Sequence, residues 1–291
     1  GGENKPKLPD ILNLFPKNIY QIHSGDYRNP AQLPAGDVLI IGSATSGVQI
    51  AEDLRAANRN VYLSTSAVAR VPRRYRGRDI MDWMTDLHFF EKPTAEAEDF
   101  ALNMKAPLMS GVGEFGHTIS LQSLEAKGVN LLGYLKHVNN NTLVFENNLA
   151  DHIAFGDGFS SQIKEGIEQF ISGTQMKALP REQDNDDMPS QAISAREPIL
   201  ELDIIDNNIK TIIWSTGFTS DFSWVNLDVF DEMRKPMHHN GITSVQGLYF
   251  MGLPWQRNLK SSLIYGTAGD AEEVTEAVLK YHSEKKELIE T

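Results

Sequence analysis

"VLIIGSATSGVQIAEDL", residues 38–54, joins an apolar run to a small-residue turn and then to a patterned helix. Val38 to Ile41 are four β-favouring aliphatics, as a parallel strand buried on both faces requires. Gly42, Ala44 and Gly47 follow in the spacing G-x-G-x-x-G, with Ala in the second slot. Gly42 permits the tight exit from the strand, Ala44 keeps the backbone open to a pyrophosphate, and Gly47 lets the helix approach the sheet. Val48, Ile50, Ala51 and Leu54 put an apolar stripe on that helix, whose first N–H groups point at the phosphates. A second strand over Asn60–Ser64 completes a βαβ unit. The stretch predicts a Rossmann-like dinucleotide site built from Gly42, Ser43, Ala44, Thr45, Ser46 and Gly47.

The second strand selects the dinucleotide. A site for NAD usually ends this strand in Asp or Glu, which accepts from the ribose 2′-OH. Here the chain reads Leu63, Ser64, Thr65, Ser66, and then "RVPRRYRGRD" (70–79). Ser64 with Arg70, Arg73 and Arg74 suits a 2′-phosphate, because guanidinium groups give paired, charge-assisted hydrogen bonds. NADP(H) is the expected cofactor. The bland alternative is a solvated basic loop pairing with surface carboxylates.

Composition narrows the remaining classes. The 291 residues are 41% hydrophobic and carry a formal charge of −12. That balance argues against nucleic acid or an anionic membrane as the main partner. There is no cysteine, which removes disulfides, thiolate nucleophiles and Cys-ligated zinc and makes a cytoplasmic location the default. No apolar run approaches the roughly 20 residues of a membrane span.

Several stretches together resemble one family. They are "IHSGDYRNP" (22–30), residues 33–54, "RVPRRYRGRDI" (70–80), "GVNLLGYL" (128–135), "IIWSTGFTSDFSWV" (212–225) and "GLYFMGLPWQRNLKSSLIYG" (247–266). They resemble bacterial flavin-containing monooxygenase-like, FAD-dependent oxidoreductases, a group that includes flavoproteins assigned to K⁺ transport. The resemblance implies an α/β flavoprotein with two dinucleotide-binding domains, the NADPH domain inserted into the FAD domain. Residues 1–34 would be the crossover from the FAD domain, 35–215 the NADPH domain with insertions, and 216–291 the C-terminal part of the FAD domain. The FAD domain's own first strand and Gly-rich turn would lie upstream, in an N-terminal segment that this chain lacks and that would act as its partner. Phe15, His23 and Tyr27 are similar to part of the monooxygenase fingerprint. Lys17 stands where the family has Gly, however, and the Phe–His gap is two residues longer. His23 alone reads as a structural hydrogen-bonding residue.

The resemblance places Thr216, Gly217, Gly252 and Leu253 against FAD. It makes 247–252 the last FAD-domain strand and aims the helix from about Gly266 at the flavin. The implied reaction is reduction of FAD by NADPH, followed by reaction of the reduced flavin with O₂ and a small-molecule substrate. A reductase or oxidase without oxygenation, or a non-enzymatic NADP-binding module, remain as alternatives. No catalytic side chain and no metal site can be named.

The other segments are read more plainly. Residues 79–90 predict a short amphipathic helix with Ile80, Trp83, Met84 and Leu87 inward. "GVGEFGH" (111–117) reads as a loop near the nicotinamide rather than a second cradle, because Lys105 and Pro107 break any preceding strand. Residues 133–147 predict a β-hairpin around Asn139–Asn141, and 149–172 a long helix. "REQDNDDMPSQ" (181–191) reads as an exposed acidic linker. His238 and His239 are adjacent and so project to opposite sides, without a metal cluster.

Overall fold

The computed structural model describes residues 4–97, 116–188 and 197–290. These fall into two compact units, one within Pro6–Trp83 and Ala101–Gly217, the other within Gly1–Lys5, Met84–Phe100 and Phe218–Thr291.

The first unit is built, in chain order, from β1 (Tyr20–His23), β2 (Asp37–Ile41), α1 (Thr45–Ala56), β3 (Val61–Ser64), α2 (Leu121–Ala126) and β4 (Asn130–Leu132). It continues through β5 (Leu135–Asn139), β6 (Thr142–Phe145), α3 (Leu149–Thr174), β7 (Glu201–Asp203) and β8 (Ile209–Trp214). Five strands make one sheet in the order β1-β8-β2-β3-β4, with every pairing parallel. Within the segment 1–34, β1 is thus the edge strand of this same sheet.

Alternation along the strands explains how the sheet buries both faces. Val38 and Ile40 pack with Val48, Ala51, Leu54 and Leu124 on the helix-covered side. Leu39 and Ile41 face Leu143, Phe145 and Leu202 on the other. That second layer is a three-stranded antiparallel sheet, β7-β6-β5, and not a layer of helices. The predicted hairpin is its β5–β6 pair, turning through Asn140 at φ +52°. Its third strand, β7, was not legible in the sequence. The predicted helix after residue 79 spans Ile80–Asp86 and buries Ile80, Trp83 and Met84, while Leu87 is only half-buried.

In the second unit Phe222, Phe230 and Phe250 pack together, Phe250 edge-on to the other two rings. The helix α4 (Thr267–Glu290) ends the chain. Near its start the buried Asp270 accepts from Ser261 Oγ at 3.1 Å and Arg257 Nε at 3.3 Å. Residues 247–252 do not form the expected strand. They make isolated bridges, Ile242 with Tyr249, and Phe250 N–H donates to Gly241 O. A strand needs a continuous ladder partner, and among the described residues Gly247–Gly252 finds only this short turn.

The segment 181–188 also departs from expectation. Asp184 caps a single 3-10 turn and accepts from Thr118 Oγ1 at 2.6 Å. Asp187 is ion-paired to both Arg70 and Lys164, with its side chain 9% exposed. A carboxylate beside two fixed cations gains more from pairing than from staying in water, so this end of the loop folds down. No helix among the described residues is long and apolar enough to cross a membrane.

Candidate functional site

The carboxyl ends of β2, β3 and β8 emerge side by side, because these strands are consecutive neighbours in the parallel sheet. A cavity of about 830 Å³ opens there, lined by Gly42, Ser43, Ala44, Ser64, Thr65, Ser66, Trp214, Ser215, Thr216 and Gly217 among others. Open α/β sheets bind ligands in this crevice.

The turn shows why its residues are small. Gly42 has φ +105°, and a Cβ there would stand 2.3 Å from Ser215 O. At Gly47 a Cβ would stand 2.0 Å from Gly42 O. The first turn of α1 therefore lies directly on the strand exit. Ala44 is the N-cap and supplies no side-chain oxygen, which leaves the positive end of the helix to whatever enters the cavity. Ser43 pins the turn to the second strand. Its Oγ accepts from Ser66 N–H at 3.0 Å and donates to Ser66 O at 3.3 Å.

The strand-end hydroxyls are already engaged. Ser64 Oγ donates to Gly133 O and accepts from Leu135 N–H, both at 3.0 Å. Thr65 Oγ1 donates to Leu132 O at 2.7 Å.

His23 and Tyr27 brace the same unit. Gly25 N–H donates to His23 Nδ1 at 3.0 Å, so the ring proton sits on Nε2 and is donated to Gly217 O at 2.9 Å. Tyr27 donates to Asp53 on α1 at 2.6 Å. Burial, reinforced by Asp53, pushes its phenol well above the ordinary range.

No family model matches the chain. Over 286 residues, however, it is 31% identical to "Uncharacterized oxidoreductase CzcO-like" of Geobacillus kaustophilus, covering 97% of this chain and 63% of that protein. The CzcO oxidoreductase of Bacillus subtilis is 28% identical over 274 residues, or 94% of this chain and 61% of that one. The chain thus spans about three-fifths of the length of these curated relatives. A flavin-containing monooxygenase from Stenotrophomonas maltophilia has the same fold, with TM-score 0.51 at 15% identity, over 95% of this chain and 59% of that one. Over nearly its whole length the chain is thus similar to CzcO-like oxidoreductases, and its fold is that of a flavin monooxygenase. The family resemblance carried by the sequence motifs therefore holds, and so does the α/β architecture with its parallel sheet.

The individual site residues are distributed less simply. Gly42, Ser43, Ala44 and Ser64 line the cavity, and Thr45, Ser46 and Gly47 form the first turn of α1 behind it. Thr216 and Gly217 line the same cavity, since β8 runs parallel to β2 and ends beside Gly42. Gly252 and Leu253 belong to the second unit. There Gly252 has φ +80° with open space where a Cβ would point, and Leu253 is buried.

None of Arg70, Arg73 and Arg74 lines this cavity. Arg70 is 4% exposed and holds Asp157 at 2.6 Å together with Asp187. Arg73 pairs with Asp79 at 2.8 Å, and Arg74 borders a separate cavity of about 420 Å³. The chain's own carboxylates have taken up the two guanidinium groups nearest to them.

Sequence reasoning missed several lining residues, Lys7, Tyr134 and Lys136 among them. Lys136 could have been found from its place just beyond the third parallel strand, which in a βαβ order returns beside the second. Of "GVGEFGH", residues 111–115 lie outside the described residues, as does the Lys105–Pro107 stretch before it. Among the described residues no His, Asp or Glu cluster could hold a metal, the His238 neighbourhood included.

Proposed function

We propose that this chain carries the NADPH-binding site and part of the FAD site of an FAD- and NADPH-dependent, monooxygenase-like oxidoreductase acting on a small molecule with O₂. One observation carries the reading. The Gly42–Gly47 turn presents an uncapped helix N-terminus to an 830 Å³ cavity, and Cβ atoms at Gly42 and Gly47 would collide with backbone. Such a cradle fits a pyrophosphate. The cavity walls also agree in charge: Lys7 and Lys136 line it and, among the described residues, no carboxylate does.

When bound, NADPH supplies a hydride to FAD, whose reduced form reacts with O₂. The residues of this chain bind, orient and shield. Thr45, Ser46 and Gly47 offer backbone N–H groups to the phosphates, and Ser43 keeps the turn rigid through Ser66. Trp214 and Ile41 form an apolar wall at the strand ends. Thr216 and Gly217 fix where the chain leaves the sheet, since Thr216 Oγ1 donates to Lys7 O and Lys7 N–H donates to Gly217 O. Gly252 and Leu253 are proposed contacts to FAD, as the open backbone at Gly252 admits close approach.

Titrating the purified chain with NADPH while following thermal stability tests the nucleotide site. A protein that NADPH does not stabilise would remove the proposal. Flavin absorbance that bleaches on NADPH addition, with O₂ consumption, would carry it to the full reaction.

A further inference from the structure

We infer that Lys136, assisted by Ser66, reads the 2′-phosphate of NADP, in place of the arginines of segment 70–78. The inference rests on the reading of the Gly42 cavity as a dinucleotide site. In a βαβ dinucleotide fold the group that tells NAD from NADP stands at the carboxyl end of the second strand, which here is Ser64. The hydroxyls of Ser64 and Thr65 are committed to Gly133 O, Leu135 N–H and Leu132 O.

Those same bonds have a second effect. They fasten the backbone of residues 132–135 to the strand end, and the next residue, Lys136, stands in the cavity wall beside it. Lys136 is exposed while its neighbours Leu135 and Val138 are buried, so its side chain keeps to the open face of β5. It makes no hydrogen bond or ion pair with the described residues. An ammonium with three donors, in a cavity that no described carboxylate lines, suits a phosphate of charge near −2. Ser66 adds a hydroxyl. Its backbone is held by Ser43, while its Oγ has no partner among the described residues and lines the same cavity.

The arginines are placed for other work. Arg70 lies in a buried ion-pair network, Arg73 on Asp79, and Arg74 against a different cavity.

The test is calorimetric titration of the 291-residue chain with NADPH and with NADH. The proteins compared are wild type, Lys136→Ala, Lys136→Arg and the double variant Arg73→Ala/Arg74→Ala. Lys136 is exposed, and circular dichroism would show that each variant is folded. Lys136→Ala should weaken NADPH by at least about tenfold, the loss of one charge-assisted contact, with NADH little changed. Lys136→Arg should restore the preference, and the double arginine variant should keep it.

A wild-type preference for NADPH that survives Lys136→Ala would overturn the inference and leave the nucleotide site standing. Equal affinity of wild type for both nucleotides would do the same. Binding of neither would overturn the nucleotide reading itself, and this inference with it.

Discussion

Two neighbouring stretches of the first unit, 42–47 and 70–78, both pointed to a nucleotide, and the structure treats them differently. At Gly42 and Gly47 a Cβ would meet backbone oxygen at 2.3 Å and 2.0 Å. In the second stretch Arg70 is closed into a network of Asp157, Asp187, Lys164 and Gln122. A glycine pattern reports backbone geometry, the positive φ at Gly42 and the close approach at Gly47, which no other residue can satisfy. A charge cluster reports only that partners are needed. Here the partners came from residues 87 and 117 positions further along the chain. Arg70 of the basic cluster and Asp187 of the acidic stretch meet in one internal contact.

The largest effect that would break this comparison is Gly47→Val. A side chain so close to Gly42 O cannot be relieved by a rotamer change, because both atoms belong to the turn and its helix. The cost should exceed about 4 kcal/mol, with no stabilisation by NADPH. Chemical denaturation of the variant with and without NADPH measures both. A variant as stable as wild type and equally protected would show that the turn is not a close-packed cradle.

Next comes Arg70→Met. Removing one partner of a buried ion pair leaves uncompensated charge, and the expected loss is about 3 kcal/mol. Among the described residues Asp157 and Asp187 would then keep Lys164, Gln122 and Ser160 as donors. A loss below about 0.5 kcal/mol would mean that the network is a surface pairing, and that the arginine is free to bind ligand after all.

The fold was legible where the physics is short-ranged. The strand Asp37–Ile41, the helix Thr45–Ala56 and the hairpin around Asn140 follow from periodicity, a turn and a left-handed Asn. The Glu201–Asp203 strand was not, because three residues carry no period and its reason to exist is the edge of β6, which it pairs from residue 142 to 144. The apolar run 247–252 misled for the complementary reason: it has strand composition but no ladder partner among the described residues. In the site, the composition of "GYLKHVN" does not mark Lys136; only its place just beyond a parallel strand does. Its position comes from the parallel pairing of Leu63 with Leu131.

A smaller effect concerns acid. Burial alone would raise the Asp187 carboxyl, but the Arg70 and Lys164 contacts outweigh it and hold the group below its ordinary value. Glu52 behaves alike, with burial opposed by Lys127 and His117. Such groups stabilise the fold wherever they are ionised in both states, so their contribution is complete above the unfolded value near pH 4. It is lost as pH falls through the lower, folded value. Wild type should hold its stability from pH 7 to about 5 and lose it progressively below about 4. Asp187→Asn should be less stable at pH 7 and show a shallower acid limb. Urea midpoints at several pH values give both curves, and an unchanged acid limb would mean that Asp187 titrates as it does in the unfolded chain.

The smallest expected effect is the sharpest test, because it compares one residue type with itself. Arg74 is four positions from Arg70, carries the same charge and belongs to the same cluster in the sequence. It is exposed, and its guanidinium makes no ion pair with the described residues. Near it Arg181 lies over the Tyr75 ring at 5.7 Å, and Lys164, on the same cavity, is committed to Asp187. Arg74→Ala therefore removes a solvated cation from a cavity wall where Arg70, Lys164 and Arg181 already stand beside Asp157, Glu182, Asp184 and Asp187. The change in stability should stay within about 0.5 kcal/mol and should be insensitive to salt. If Arg74→Ala instead cost as much as Arg70→Met, position in the sequence cluster, and not the partner found in the fold, would be what gives these arginines their weight.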